Sequence, residues 1–349
     1  MNKKLLSLLL PIISTTVLAQ EKAITISLSG NIMMGTTYPT TMLPDDDGEN
    51  IFRDTKNHTI TADLALANLE GALCDGGITH KTGKNSYAFR MPTRYGKYLK
   101  DAGYDFLSMA NNHANDFGLS CIESTEEVLD QQGIKYAGIK GRNEYAIIEK
   151  DGIKYGITAF GHNNYTLMHT DLTTVKRVLT DLRPQVDILI VSVHGGAEGK
   201  SRRNLPYGSE TFLGENRGNL RELAKFCIDN GADIIYGHGP HVARAIEVYK
   251  NRFIAYSLGN FATPYGMNLS GISGYAPLVN IRINRQGEFI DGVIYSFIQQ
   301  PSIGPRIDET HSVAQEIKQL TEEDISNNAI DIDQTGHITV KYQSQQNKD

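Results

Sequence analysis

The sequence predicts an α/β protein built on a largely parallel sheet. Three observations carry that reading: apolar runs of strand length, amphipathic segments between them, and glycines where those segments stop. Residues 23–28 form the first apolar run, and 63–67 and 104–109 the next two. Residues 153–160, 187–193, 233–236 and 253–257 read the same way. Helices are expected over residues 94–102, 121–132, 173–183 and 215–230. Gly103, Gly133 and Gly231 come directly after three of them, in the place where a left-handed residue ends a helix. From about residue 277 strands succeed one another without helices, at 278–283 and 291–297. That change predicts a second, antiparallel sheet packed against the first. One more helix is expected over 309–327, and the tail at 343–349 is polar.

The 349 residues are 40% hydrophobic and 21% charged, the composition of an ordinary globular chain. A chain of this length can build its core without disulfides. Its net charge of −6 argues against nucleic acid as a partner, because that binding rests on cations displacing counterions. The three cysteines, Cys74, Cys121 and Cys227, show no CxxC spacing, so neither a zinc knuckle nor a disulfide framework is expected. The first 19 residues read as an export signal. Lys3 and Lys4 precede an apolar stretch, and Val17-Leu18-Ala19 supplies a cleavage site after Ala19. The stretch is shorter than the roughly 20 residues needed to span a membrane. A periplasmic or secreted protein is therefore expected. It divides into the leader at 1–19, a main domain at 20–300 and an extension at 301–349.

Function is signalled by the polar residues just past each strand. The first run enters Gly30-Asn31, the second Asn68-Leu69-Glu70, and the third Asn111-Asn112-His113 with Asp116 behind it. Later runs enter His194-Gly195-Gly196 with Glu198, Gly237-His238-Gly239-Pro240-His241, and Gly259-Asn260. In a parallel sheet these ends lie along one edge, where such folds bind ligands. Oxygen and imidazole donors without thiolate suit Mn²⁺, Fe²⁺ or Zn²⁺ in a catalytic site. His58, His80, His162, His169, His311 and His337 sit among polar residues and read as surface or loop positions. Of these only His162, just beyond a strand, is placed to approach the site. Cys74 reads as a small buried apolar side chain.

These blocks resemble the bacterial capsule-synthesis (CapA) family, named for poly-γ-glutamate capsules and similar to calcineurin-like metallophosphoesterases. The resemblance covers about residues 23–297. It rests on 67–70, 110–113 with 116–118, 192–195, 231–241 and 256–261. It implies a four-layer α/β/β/α sandwich with one or two divalent ions at the strand ends. Glu70 would take the bridging carboxylate place, and Asn31, Asn112, His194, His238 and His241 the other ligand places. His113 would be the general acid, oriented by Asp116. Arg90, Asn111, Glu198, Arg244 and Asn260 are the expected substrate contacts, and Arg202, Arg203 and Arg217 could join the two arginines in a groove for anions. Two departures stand out: Asn31 replaces a usual Asp, and Gly239 a frequent His, so ligand charge and count are both lowered. The resemblance implies metal-dependent hydrolysis of a phosphoester, in association with an anionic surface polymer and membrane-bound capsule machinery. A non-catalytic polymer-binding protein on the same fold is the alternative. A serine hydrolase is not supported, since no GxSxG elbow is present.

Overall fold

The computed structural model describes residues 22–341 except 80, 82, 84 and 85. The expected leader and polar tail therefore lie outside the described residues. Two sheets form the centre. The larger has nine strands, in the order Ile330–Ile332, His337–Val340, Phe289–Tyr295, Leu278–Ile283, Ile24–Ile32, Leu64–Leu69, Phe106–Ser108 and Lys135–Ala137. Its ninth, Asn260–Ala262, pairs with the end of Ile24–Ile32. The smaller has six, in the order Ile246–Tyr249, Arg252–Ala255, Ile234–His238, Ile188–His194, Ile153–Phe160 and Tyr145–Lys150.

Alternation along each strand decides what each face packs against. Ile24, Ile26 and Leu28 of one sheet meet Ile188, Ile190, Ile234 and Tyr236 of the other in a shared core. Ala65, Ala67 and Leu69 face outward onto Leu99, Ile122 and Leu129, which come from helices Gly96–Asp101 and Leu119–Gln132. Leu189, Val191 and Ile235 face outward onto helices Leu172–Leu182 and Leu220–Asp229. The stack is helices, sheet, sheet, helices. The helix Ser312–Asp324 feeds Val313, Ala314 and Ile317 into the core between the sheets.

Three expectations are corrected. The strands expected at 278–283 and 291–297 do not make a second sheet, although Phe297–Gln300 and Gly304–Ile307 pair as a small antiparallel ribbon of their own. Leu278–Ile283 pairs antiparallel with Ile24–Ile32 and extends the first sheet, while the second is built from residues 145–255. Period-two alternation identifies a strand but not its neighbour. The helix expected over 215–230 begins only at Leu220. Asn219 caps it by accepting from the Glu222 N–H, and Glu215–Gly218 pairs with Glu210–Phe212 instead. Finally, Cys74 and Cys121 form a disulfide, with Cα atoms 5.3 Å apart. Their 47-residue separation carries no pairing signal. The packing of helix Leu119–Gln132 against Ala72–Leu73 brings them together, seen where Thr125 Oγ1 accepts from Leu73 N at 2.9 Å.

The disulfide ties the end of strand Ala72–Leu73 to the first turn of helix Leu119–Gln132. Replacing both cysteines by alanine should cost about 2–4 kcal/mol of stability. Thermal denaturation of the double variant checks this. Added reductant should lower the Tm of the native protein toward that of the variant and leave the variant unmoved.

Candidate metal centre and active-site cleft

Parallel registration brings the site together. Asn31 is in register with Asn68 on one side and Asn260 on the other. His194 is in register with His238. The two sheets are joined near these ends, where Tyr236 Oη donates to the Ala67 carbonyl at 3.3 Å. Glycine allows the last approach: a Cβ on Gly30 would stand 2.1 Å from the Gly259 carbonyl oxygen. That contact lets the chain cross between sheets and set Asn260 beside Asn31.

Four buried asparagines on adjacent strand ends form a one-way ladder of hydrogen bonds. Asn111 Nδ2 donates to Asn68 Oδ1 at 3.1 Å, and Asn68 Nδ2 to Asn31 Oδ1 at 2.9 Å. Asn31 Nδ2 reaches Asn260 Oδ1 at 3.5 Å, and Asn260 Nδ2 ends on the backbone carbonyls of His241 and Ser273. Asn68 also donates to Glu70 Oε2. His241 adopts a left-handed backbone with φ of 58°, and its Nδ1 lies 2.8 Å from Asn260 Oδ1. Such a conformation costs a non-glycine residue energy and marks a position held by its surroundings.

A second chain of contacts crosses behind the ladder. His194 Nε2 donates to Asn112 Oδ1 at 2.9 Å, because a carbonyl oxygen can only accept. The His194 Nδ1 must then accept from His238 Nδ1 at 2.8 Å, and the Ser192 hydroxyl donates to His238 Nε2 at 2.8 Å. Glu70 Oε2 is 3.5 Å from His194 Nδ1, while Glu70 Oε1 is buried with no partner. Burial pushes the Glu70 carboxyl up to about 8 against the Asn68 hydrogen bond, which lowers it. Burial also holds His194 well below 6.5 and pushes His238 down to about 3, with other imidazoles nearby adding to both.

Among the described residues no group of three or more His, Cys, Asp or Glu side chains is arranged to hold a metal ion. The pairwise distances show why. Glu70, His194 and His238 meet, but the two imidazoles are closed on each other by a hydrogen bond. Glu70 with its orphaned oxygen, His194, His238 and the Asn112 amide are donors of the kind one divalent cation takes, and they would hold it once the two Nδ1 atoms part. The His241 side does not fit a second. Asn31 turns its oxygen to Asn68 and its NH₂ toward His241, and no buried carboxylate joins them.

His113 stands at the mouth of this floor. Its Nδ1 donates to Asp116 Oδ2 at 2.8 Å, and Asp116 Oδ2 also accepts from Phe89 N at 2.8 Å. Lys81 forms an ion pair with the other Asp116 oxygen and donates to the Asn112 carbonyl at 2.9 Å. Burial lowers the His113 pKa, and Asp116 opposes that shift. A cleft of about 340 Å³ opens above, with His113, His241, Asn260 and Glu198 in its lining.

Asn31, Glu70, Asn112, His194, His238, His241, His113 and Asp116 are thus gathered at one place. Asn111 belongs to the ladder and Asn260 to both ladder and cleft. Glu198 faces the cleft but is bound to Arg217 at 3.0 Å. The expected anion groove is corrected. Arg244 is fully buried, gripping Glu210 with both terminal nitrogens. Arg90 spends its guanidinium on the Gly76 and Gly77 carbonyls and on Thr37, and Arg203 pairs with Glu316. His162 and His169, expected as loop residues, are buried behind His194, where burial pushes them down to about 4 and about 3. Sequence reasoning passes over Asn68 and Ser192 as ligand supports, although both lie in the blocks it singles out; nothing in the sequence marks Lys81.

Residues 25–265 match the model of the family described as bacterial capsule synthesis protein PGA_cap. The chain belongs to that family. It is 28% identical over 298 residues to the capsule biosynthesis protein CapA of Bacillus anthracis, covering 82% of this chain and 70% of that one. The PGA biosynthesis protein CapA of Bacillus subtilis is 26% identical over 70% of this chain and 65% of its own length. The chain thus spans about two thirds of the length of these relatives. A 5′-nucleotidase precursor structure from Thermus thermophilus superposes with a TM-score of 0.45 at 12% identity, over 86% of this chain and 59% of that one.

The buried titratable groups give this member a defined pH response without metal. Six histidines, His58, His113, His162, His169, His194 and His238, are depressed in the fold, and the stability this gives is full above their unfolded value of 6.5 and lost as pH falls. Glu70, raised in the fold, stabilises below 4.5 and loses that as pH rises toward 8. Between 4.5 and 6.5 six histidines oppose one carboxyl, so the histidines set the sign until few of them remain protonated in the unfolded chain. In chelator, calorimetry should find the highest Tm at about pH 7, with lower values at about pH 5 and about pH 9. A Tm that still rises from about 7.5 to about 9 contradicts the Glu70 assignment.

Proposed function

We propose that this chain is an exported, cation-dependent phosphoester hydrolase that serves the making or export of an anionic surface polymer. The observation that carries the chemistry is the His113–Asp116 pair set at the edge of the Glu70–His194–His238–Asn112 cluster, under an open cleft. The polymer reading rests on the names of the Bacillus relatives. Export is supported by the Cys74–Cys121 disulfide, a bond that persists in oxidising compartments. No helix among the described residues is long and apolar enough to cross a membrane.

A bound divalent ion of the Mn, Fe or Zn kind supplies a lowered water pKa and offsets phosphoryl charge. The chain's own residues do the rest. Asp116 holds the His113 Nδ1 proton, which fixes the tautomer and leaves Nε2 to face substrate. As the imidazolium, its charge offset by Asp116, His113 delivers its second proton from Nε2 to the departing ester oxygen as the P–O bond breaks. Water provides the oxygen that ends on phosphorus and the proton that restores His113. Asn68 keeps Glu70 and Asn31 in place, and Lys81 braces Asp116.

Replacing His194 or His238 by Ala should remove bound metal, read by elemental analysis, and abolish turnover of a generic phosphodiester. Asp116→Asn should lower kcat by about 10²-fold or more with metal content unchanged. Retained metal and full activity in both histidine variants would falsify the assignment. The neutral Asn31 favours one second reading, a polymer-binding protein without catalysis. Purified protein with no metal, no turnover and measurable polyanion binding would establish that reading instead.

A further inference from the structure

The cleft over His113 has a polar floor and an aromatic wall, and the hydrolytic chemistry uses only the floor. Phe89 lies against His113, with ring centroids 4.4 Å apart. Tyr87 stacks on Phe89 at 6.4 Å and 22°, and is 61% exposed. Wall and acid are set by one group, since Asp116 Oδ2 accepts from both Phe89 N and His113 Nδ1. Gly266, at φ of 76°, keeps the space open, because a Cβ there would stand 2.8 Å from Phe89 Cε1. Phe212 and Met267 extend the apolar lining.

Charge points the same way. Among the described residues the lining holds one lysine, Lys200, and one carboxylate, Glu198, and no arginine. A polyanion finds no row of cationic donors there among the described residues. An uncharged ring finds aromatic faces of the kind on which bases and other flat or ring-shaped groups stack. Amide and hydroxyl groups of Asn260, Asn268 and Ser273 lie within reach of its polar edge.

We propose that the alcohol leaving from phosphorus carries an uncharged ring, a sugar or a nucleobase, seated on Tyr87 and Phe212, with the buried Phe89 behind Tyr87. The placement beside His113 rests on the hydrolase reading; the ring site itself does not. Glucose 1-phosphate and uridine 5′-monophosphate should exceed glycerol 3-phosphate in kcat/KM by about tenfold or more, the scale of one stacked ring. Tyr87→Ala and Phe212→Ala should erase that advantage by raising KM with kcat kept. Equal rates on all three esters, or an advantage that both variants retain, overturns the proposal while hydrolysis stands. Should no ester be cleaved, saturation-transfer NMR with unphosphorylated uridine and methyl glucoside decides. Transfer that disappears in the two variants supports the ring site, and the responding ring tells base from sugar; absence of transfer to either overturns it.

Discussion

Glu70 is a carboxyl group with no exposed surface and one oxygen without a partner. A buried polar group of that kind is costly unless neighbours answer it. The strand ends are organised around that demand. Asn68 gives one N–H to Glu70 and the other to Asn31, and its own oxygen is occupied by Asn111. Each amide is useful because the next one is fixed. In a low-dielectric setting such a chain rigidifies when complete and fails as a unit when broken.

Around this point the fold works as a clamp. The larger sheet supplies Asn31, Glu70, His113 and Asn260, and the smaller supplies His194 and His238. The shared apolar core between them holds the two sets of strand ends in apposition. The Cys74–Cys121 bond fastens the end of Ala72–Leu73, just past Glu70, to the first turn of helix Leu119–Gln132, just past His113 and Asp116. The floor of the site is thereby held from both sides, while the cleft above is lined by long, unbranched side chains such as Lys200 and Met267.

Particular residues show how far the chain is legible on its own. Residues 153–160 are recognisable as a strand because their apolar run is long and bounded. Their partner Tyr145–Lys150 is not, although Asp151-Gly152, both with positive φ, makes the tight turn between them. Its mixed composition leaves no strand signal. His162 and His169 sit among polar neighbours along the chain but beneath His194 in space. Of the arginines expected to meet anions, Arg244, Arg217, Arg203 and Arg90 are absorbed by Glu210, Glu198, Glu316 and backbone carbonyls.

By itself the sequence determined the α/β class, the order of the motif blocks and the identity of the polar residues that end each strand. Those features are local: periodicity, glycine placement and residue type within a few positions. Sheet membership, the cysteine pairing, the direction of the asparagine ladder and the neutrality of the cleft were decided only by tertiary packing. Each depends on which distant segment lies one strand spacing away, and a hydrogen bond or ion pair across that gap leaves no trace in the spacing of letters.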